Sequence, residues 1–255
     1  MLRSRIIPCL LVHNRGLVKT VEFKNAKYVG DPINAVKIFN EKEVDEIIVL
    51  DIDASAERRG PDFTLIKNVA TECRMPLCYG GGISSVEHAR QIIKLGVEKI
   101  AINYAAINNF SLIRDIGEVV GLQSVVVCID VRRRDEGGYD IYQLNGTQKV
   151  NLEFTEYLTR LNEAGVGEVL VNSIDNDGVM TGYDIELADI VRDYTDMPNT
   201  ILGGAGTYSD LKLLIDRYSI VGAAAGSIFV FKGKFRAVLI SYPVEAEKMG
   251  VLSGL

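Results

Sequence analysis

The chain has 255 residues, enough for one large domain or two small ones. Hydrophobic residues make up 47% and charged residues 24%, the balance of an ordinary soluble globular protein. A net charge of −6 argues against a nucleic-acid binder, and no apolar run reaches the roughly 20 residues that cross a bilayer.

The first apolar segment, in MLRSRIIPCLLV, follows two arginines as a secretory signal would. The next residues, HNRGLVK, supply no small-residue cleavage site, so the segment reads as a first strand. Four cysteines, Cys9, Cys73, Cys78 and Cys128, fit no zinc spacing, and there are only two histidines. They read as reduced thiols packed as small hydrophobes in a cytoplasmic protein, and no metal or cofactor is expected.

Further along, β-rich runs alternate with helical ones. The strands are RIIPCLLV, EIIVLDI, PLCYGG, EKIAIN, SVVVCIDV, EVLVNSI, NTILGG and IVGAAAG. Between them, DPINAVKIFNEK opens on a capping Asp31 with proline in the first turn. SSVEHARQIIKLG has a serine cap, apolar spacing near 3.6 and a closing Gly96, and TEYLTRLNEAG and YSDLKLLIDRY follow the same plan. Eight strands without polar alternation, each followed by a helix, predict a parallel sheet buried on both faces. The length fits a closed (β/α)8 TIM barrel. A doubly wound open sheet is the alternative, but no G-x-G-x-x-G follows the first strand.

An internal repeat supports the barrel. Asp53 and Asp175 match (175 − 53 = 122), as do Gly82 and Gly204 (204 − 82 = 122) and Glu46 and Glu168 (168 − 46 = 122). PCLLVH matches VCIDVR with Cys9 on Cys128 (128 − 9 = 119), which sets Leu11 opposite Asp130. Two (β/α)4 half-barrels in a single domain over 1–255 would produce this pattern. An insertion at about 132–151 carries Asn145-Gly146 between β-prone runs, a type I′ hairpin signal, and should stand above the C-terminal face.

The working site of such barrels lies at the C-terminal strand ends. Glycine clusters fall there, at Gly80–Gly82 and at Gly203, Gly204 and Gly206. Ala225-Gly226-Ser227 follows the eighth strand. Backbone without Cβ atoms can approach an anion and aim N–H groups at it. Two phosphate cradles are therefore expected. One uses Gly81, Gly82 and Asn103. The other uses Asp177, Gly178, Gly203, Gly204, Gly226 and Ser227. A ligand with a phosphate at each end would span the mouth.

RIIPCLLV, LVK, GDP, DEIIVLDIDAS, GGGI, SIDNDG, GYD and GGAG, taken in order, resemble the cyclase subunit of imidazole glycerol phosphate synthase, the HisF family. The resemblance runs from Met1 to about Ser227. It implies a (β/α)8 barrel that takes ammonia from a HisH-like glutaminase at its N-terminal face. The ammonia would then react at the top with an aminoimidazole ribonucleotide. Of the family's two catalytic aspartates, Asp130 matches the strand-five residue and Leu11 replaces the strand-one residue. Lys19 matches the loop-one lysine. Arg5, Glu46, Lys99 and Glu168 match the charged ring at the ammonia entrance. Other positions depart from the family: Tyr104 stands for threonine, Leu202 for serine, Asn172 for threonine and Asn145 for serine. Leucine moves no proton, and a positioned acid or base typically contributes about 10²–10⁴-fold in rate.

PCLLV, RGLVKTVEFKNAKYVGDPINA, IFNEKEVDE, GSIFVF and RAVLISYP are similar to the narrower WbuZ-type HisF paralogues that accompany surface-polysaccharide genes. That resemblance implies amidination of an N-acetylated nucleotide sugar, with a separate sugar amidotransferase as a third partner. The alternatives are a working imidazole glycerol phosphate synthase cyclase in histidine biosynthesis and a non-catalytic phosphate-binding scaffold.

Overall fold

The structure, a computed structural model, describes residues 3–252. Eight parallel strands close into a barrel: β1 (Arg5–His13), β2 (Ile47–Asp51), β3 (Leu77–Gly80), β4 (Lys99–Ile102), β5 (Val125–Arg133), β6 (Glu168–Ser173), β7 (Asn199–Leu202) and β8 (Gly222–Ala225). Each pairs with the next, and β8 returns to β1 with Arg5 opposite Gly222. The outer helices are α1 (Pro32–Glu41), α2 (Phe63–Glu72), α3 (Val86–Lys94), α4 (Ser111–Val120), α5 (Phe154–Ala164), α6 (Ile185–Tyr194), α7 (Tyr208–Tyr218) and α8 (Glu245–Leu252). This is the (β/α)8 TIM barrel read from the alternation.

The caps fall where the sequence puts them. Asp31 accepts from the backbone N–H of Asn34 at the start of α1, and Ser85 accepts from His88 N–H at the start of α3. Thr207 and Asp210 form a capping box on α7. Apolar faces of these helices cover the outside of the sheet in one continuous core.

A second, smaller apolar cluster fills the barrel lumen. Ile7, Cys9, Ile48, Cys78, Ala101, Val126, Cys128, Leu170, Leu202 and Ala224 compose it, with Leu11 and Leu50 packed at its edge. Three of the four free thiols thus sit inside the barrel as small hydrophobes. Burial pushes Cys9 up to about 11 and holds Cys78 and Cys128 well above the ordinary thiol range.

Two features differ from the sequence reading. The chain leaving β1 does not run as a plain loop. Gly16–Val21 folds back antiparallel on β1, and Lys24–Gly30 pairs with it to form a ribbon over the mouth. The inserted hairpin, Tyr139–Gln143 against Gln148–Glu153, extends β5 as expected, but its turn is not a two-residue type I′. Gln143 pairs with Gln148, so four residues make the connection. Leu144, Asn145 and Gly146 all take positive φ, and Thr147 N–H closes the loop on Leu144 C=O at 3.2 Å. The register that lets β5 pair with the hairpin needs two more residues than Asn-Gly supplies.

Candidate functional site

The floor of the barrel is a closed charged ring. Arg5 opens β1, Lys99 opens β4, Glu168 opens β6, and Glu46 directly precedes β2, so all four project from the N-terminal strand ends. Arg5 donates to Glu46, and its Nη2 donates to Glu168 Oε1 at 2.8 Å. Lys99 Nζ donates to Glu46 Oε1 and to Glu168 Oε2, each at 2.9 Å. Thr200 Oγ1 donates to Glu168 Oε1 at 2.5 Å, a partner the sequence reading missed. Burial alone would raise the Glu168 carboxyl. Arg5, Lys99 and the hydrogen bonds outweigh it and hold the group down at about 2. Above the ring lies the apolar cluster of the lumen, which carries no charged side chain.

At the mouth the two halves of the repeat part company. Asp130 and Asn172 are direct register partners on β5 and β6. Asn172 Nδ2 donates to Asp130 Oδ1 at 3.3 Å, and Asn103 Nδ2 donates to Oδ2 at 3.0 Å. Burial pushes the Asp130 carboxyl up to about 7, against the Asn172 hydrogen bond, and the Asp177 charge adds to the rise. A carboxyl in that range can both give and take a proton near neutral pH. Its counterpart on β1 is Leu11, opposite Leu50. The equivalent place therefore carries two leucines where β5 and β6 carry an acid and an amide.

Two cavities occupy the mouth. The larger, about 110 Å³, is lined by Gly80, Gly81, Gly82, Asn103, Tyr104, Asp130 and the hairpin residues Leu144 and Asn145. The smaller, about 30 Å³, is lined by Leu11, Lys19, Asp177, Gly178, Gly203, Gly204, Gly226 and Ser227. Asn172 lines both, and its Oδ1 is buried without a hydrogen-bond partner. The structure thus gathers the predicted residues into two adjacent hollows, each lined from both half-barrels: Asp130 and Asn172 join the first glycine cluster in the larger, and Leu11 and Lys19 join the second cluster in the smaller. A Cβ on Gly81 would meet Asp51 C=O at 2.3 Å, and one on Gly204 would meet Gly182 C=O at 2.0 Å. Both have φ above +100°, so only glycine fits either turn.

Some predicted roles shift. Asp177 does not face its hollow freely. It accepts from Thr20 Oγ1 at 2.5 Å and from Phe23 N–H at 3.2 Å, and so ties the ribbon down over the smaller cavity. Asn103 is committed to Asp130. Lys19, carried by the ribbon, is buried, and its Nζ donates to Cys9 C=O at 2.6 Å beside Gly226. Burial lowers its pKa, with Cys9 and Asp177 opposing.

The repeat reappears as a hydrogen bond that sequence reasoning missed. Asn14 N–H donates to Asp53 Oδ2 at 2.7 Å, and Arg133 N–H donates to Asp175 Oδ2 at 2.8 Å. The other oxygen of each aspartate takes the preceding side chain, His13 Nδ1 at 2.6 Å and Arg132 Nε at 3.3 Å. The matched aspartates were the available signal. Among the described residues no group of three or more His, Cys, Asp or Glu side chains could hold a metal ion, and no helix is long and apolar enough to cross a membrane.

A closed parallel barrel with a charged floor and glycine turns at its C-terminal rim defines the class. Within it, a model of the family described as "Histidine biosynthesis protein" matches residues 5–236, and the chain belongs to that family. The chain is 52% identical over 253 residues to "Putative imidazole glycerol phosphate synthase subunit hisF3" of Vibrio vulnificus, covering 99% of this chain and 97% of the relative. The hisF2 subunit of Pseudomonas aeruginosa, named in the same terms, is 54% identical over 243 residues, covering 95% and 97%. "Imidazole glycerol phosphate synthase subunit HisF" of Alkaliphilus metalliredigens is 38% identical over 229 residues, covering 90% and 91%. The HisF family expectation therefore stands.

Proposed function

We propose that the chain is the ammonia-using synthase subunit of a HisF-type pair. A glutaminase docks on the N-terminal face, ammonia enters through the ring of Arg5, Glu46, Lys99 and Glu168, and it crosses the apolar lumen. It emerges between Asp130 and Lys19, beside a ligand whose phosphates sit in the two glycine hollows. The observation that carries this reading is the closed ring directly beneath an uncharged lumen that opens on an acid poised near neutrality. The relatives' names support imidazole glycerol phosphate synthesis as the reaction. In that reading Asp130 moves protons during ring closure and Lys19 lies over the reacting centre.

A second reading, amidination of an N-acetylated nucleotide sugar with a separate amidotransferase, is favoured by Leu11. Half of the acid pair is missing while the ring is intact. Purified chain mixed with its glutaminase should stimulate glutamine hydrolysis. Turnover of the aminoimidazole ribonucleotide, followed with glutamine and with ammonium, then separates the readings. Turnover above the uncatalysed rate, even if slow, supports the cyclase, stimulation without turnover supports the second reading, and no stimulation leaves only a scaffold.

A further inference from the structure

Among the described residues three carboxylates line the two hollows, Asp51 and Asp130 in the larger and Asp177 in the smaller. Two of them are committed to the fold. Asp51 gives one oxygen to each terminal nitrogen of Arg59, both at 2.8 Å. Asp177 is taken by Thr20 and by Phe23 N–H. Asp130 differs, because side-chain amides hold it, Asn103 on Oδ2 at 3.0 Å and Asn172 on Oδ1 at 3.3 Å. Burial pushes this carboxyl up, the Asn172 hydrogen bond opposes the rise, and the Asp177 charge adds to it. The other titratable neighbours, Cys9 and Cys128, are thiols that burial keeps protonated.

The orientation of Asn172 is informative. The side chain is 7% exposed, and its Nδ2 faces Asp130 while its Oδ1 is left buried without a partner. A buried acceptor left unmatched costs free energy. Turning the amide over would set its oxygen against an ionised carboxylate, so the carboxylate dictates which way the amide faces. Packing does not require an amide at this height. Leu50 matches Asn172 in the repeat (172 − 50 = 122), and it stands opposite Leu11 against the apolar lumen. An arginine beside a carboxylate holds it ionised, whereas a neutral amide steadies the ionised form and still lets the group take up a proton. We propose that Asn172 is a positioning residue that fixes the Asp130 carboxyl at the wall between the two hollows and favours its ionised form, leaving it free to exchange a proton. This rests on the reading that Asp130 moves protons in the proposed reaction, and it gives Asn172 a role apart from binding phosphate.

The test is a pH titration of the Asp130 carboxyl carbon by NMR in the full chain, without glutaminase or substrate. The variants are Asn172→Leu, which copies Leu50, and Asn172→Thr, which keeps a hydrogen-bond donor. Each is checked by its melting curve. In Asn172→Leu the carboxyl should bind its proton at least about tenfold more tightly. Asn172→Thr should recover part of that change. In the unmodified chain the Asn172 side-chain amide protons should shift with the same midpoint as the Asp130 carbon, a readout that needs no variant. Three results would overturn the proposal: an unchanged titration in folded Asn172→Leu, a change in Asn172→Thr as large as in Asn172→Leu, or Asn172 amide protons that ignore the Asp130 titration. Glutaminase stimulation and turnover are measured separately, so failure of the proposed function and failure of this role are distinct outcomes.

Discussion

Asn172 and Asp130 are opposite one another on adjacent strands and share a 3.3 Å hydrogen bond, the Asn172 amide donating. The leucines at the equivalent places, Leu50 and Leu11, are also opposite one another and share only apolar contact. The barrel mouth is symmetric in backbone and asymmetric in chemistry, and the experiments below follow from that.

The raised Asp130 pKa gives a pH dependence of stability. Its carboxyl titrates near 7 in the fold and near 4 in the unfolded chain, so burying it ionised costs stability that grows between those values. Asp130→Asn should therefore raise unfolding free energy by about 1–3 kcal/mol at about pH 8 and change it little near pH 4. Urea melts at the two pH values check this. Equal effects at both would mean that Asp130 titrates like an exposed carboxyl.

The floor ring has the opposite sign. The Glu168 pKa is depressed to about 2, so its contribution is complete above the unfolded value and is lost as pH falls from about 4.5 toward 2. Lys99→Met leaves Glu46 and Glu168 sharing Arg5. It should cost about 2–4 kcal/mol at neutral pH, less than for a fully dry pair because Lys99 and Arg5 keep some solvent contact. The cost should shrink in acid. The same variant should uncouple glutamine-dependent from ammonium-dependent turnover.

Leu11→Asp tests the missing acid. The unmodified chain should turn over the aminoimidazole ribonucleotide with ammonium at least about 10²-fold more slowly than a family member with both aspartates. The substitution should raise that rate while costing about 1–3 kcal/mol, because it places a carboxylate against the apolar lumen. Recovery should be incomplete, since Tyr104 and Asn172 also reshape the pocket and residues of one site do not act additively. Loss of substrate absorbance is the measurement. Fast turnover by the Leu11 protein would show that a second carboxylate is dispensable.

Two glycines of the smaller hollow should respond differently to alanine. In Gly204→Ala the new Cβ meets backbone oxygen, at a φ of 107°, and should cost about 1–3 kcal/mol. In Gly226→Ala the nearest atom is Lys19 Nζ at 2.1 Å, the end of a flexible side chain. That variant should fold with a smaller penalty but expel Lys19 from its bond to Cys9 C=O. Faster amine labelling of Lys19, compared with a thermal melt of each variant, distinguishes the two.

Much of this molecule was legible as pattern. The alternation of apolar strands with capped amphipathic helices gave the barrel, because each strand buries both faces and each helix only one. The offsets between Glu46 and Glu168 and between Gly82 and Gly204 gave the half-barrel repeat, and residues at the start of a strand must lie at the floor. Local sequence determined these features because hydrogen bonding and burial act over a few residues.

What only the tertiary structure decided depends on contacts between distant residues. The ribbon of Gly16–Gly30 exists because Thr20 and Phe23 reach Asp177, more than 150 residues later, and its turns use Asn14, Arg15, Glu22 and Phe23 at positive φ without a glycine to announce them. Leu144 enters the left-handed region for the same kind of reason, a register set by β5. That Asp130 titrates near 7 and that Lys19 is buried against Cys9 are consequences of burial and proximity. Neither is encoded in the order of residues until the barrel closes.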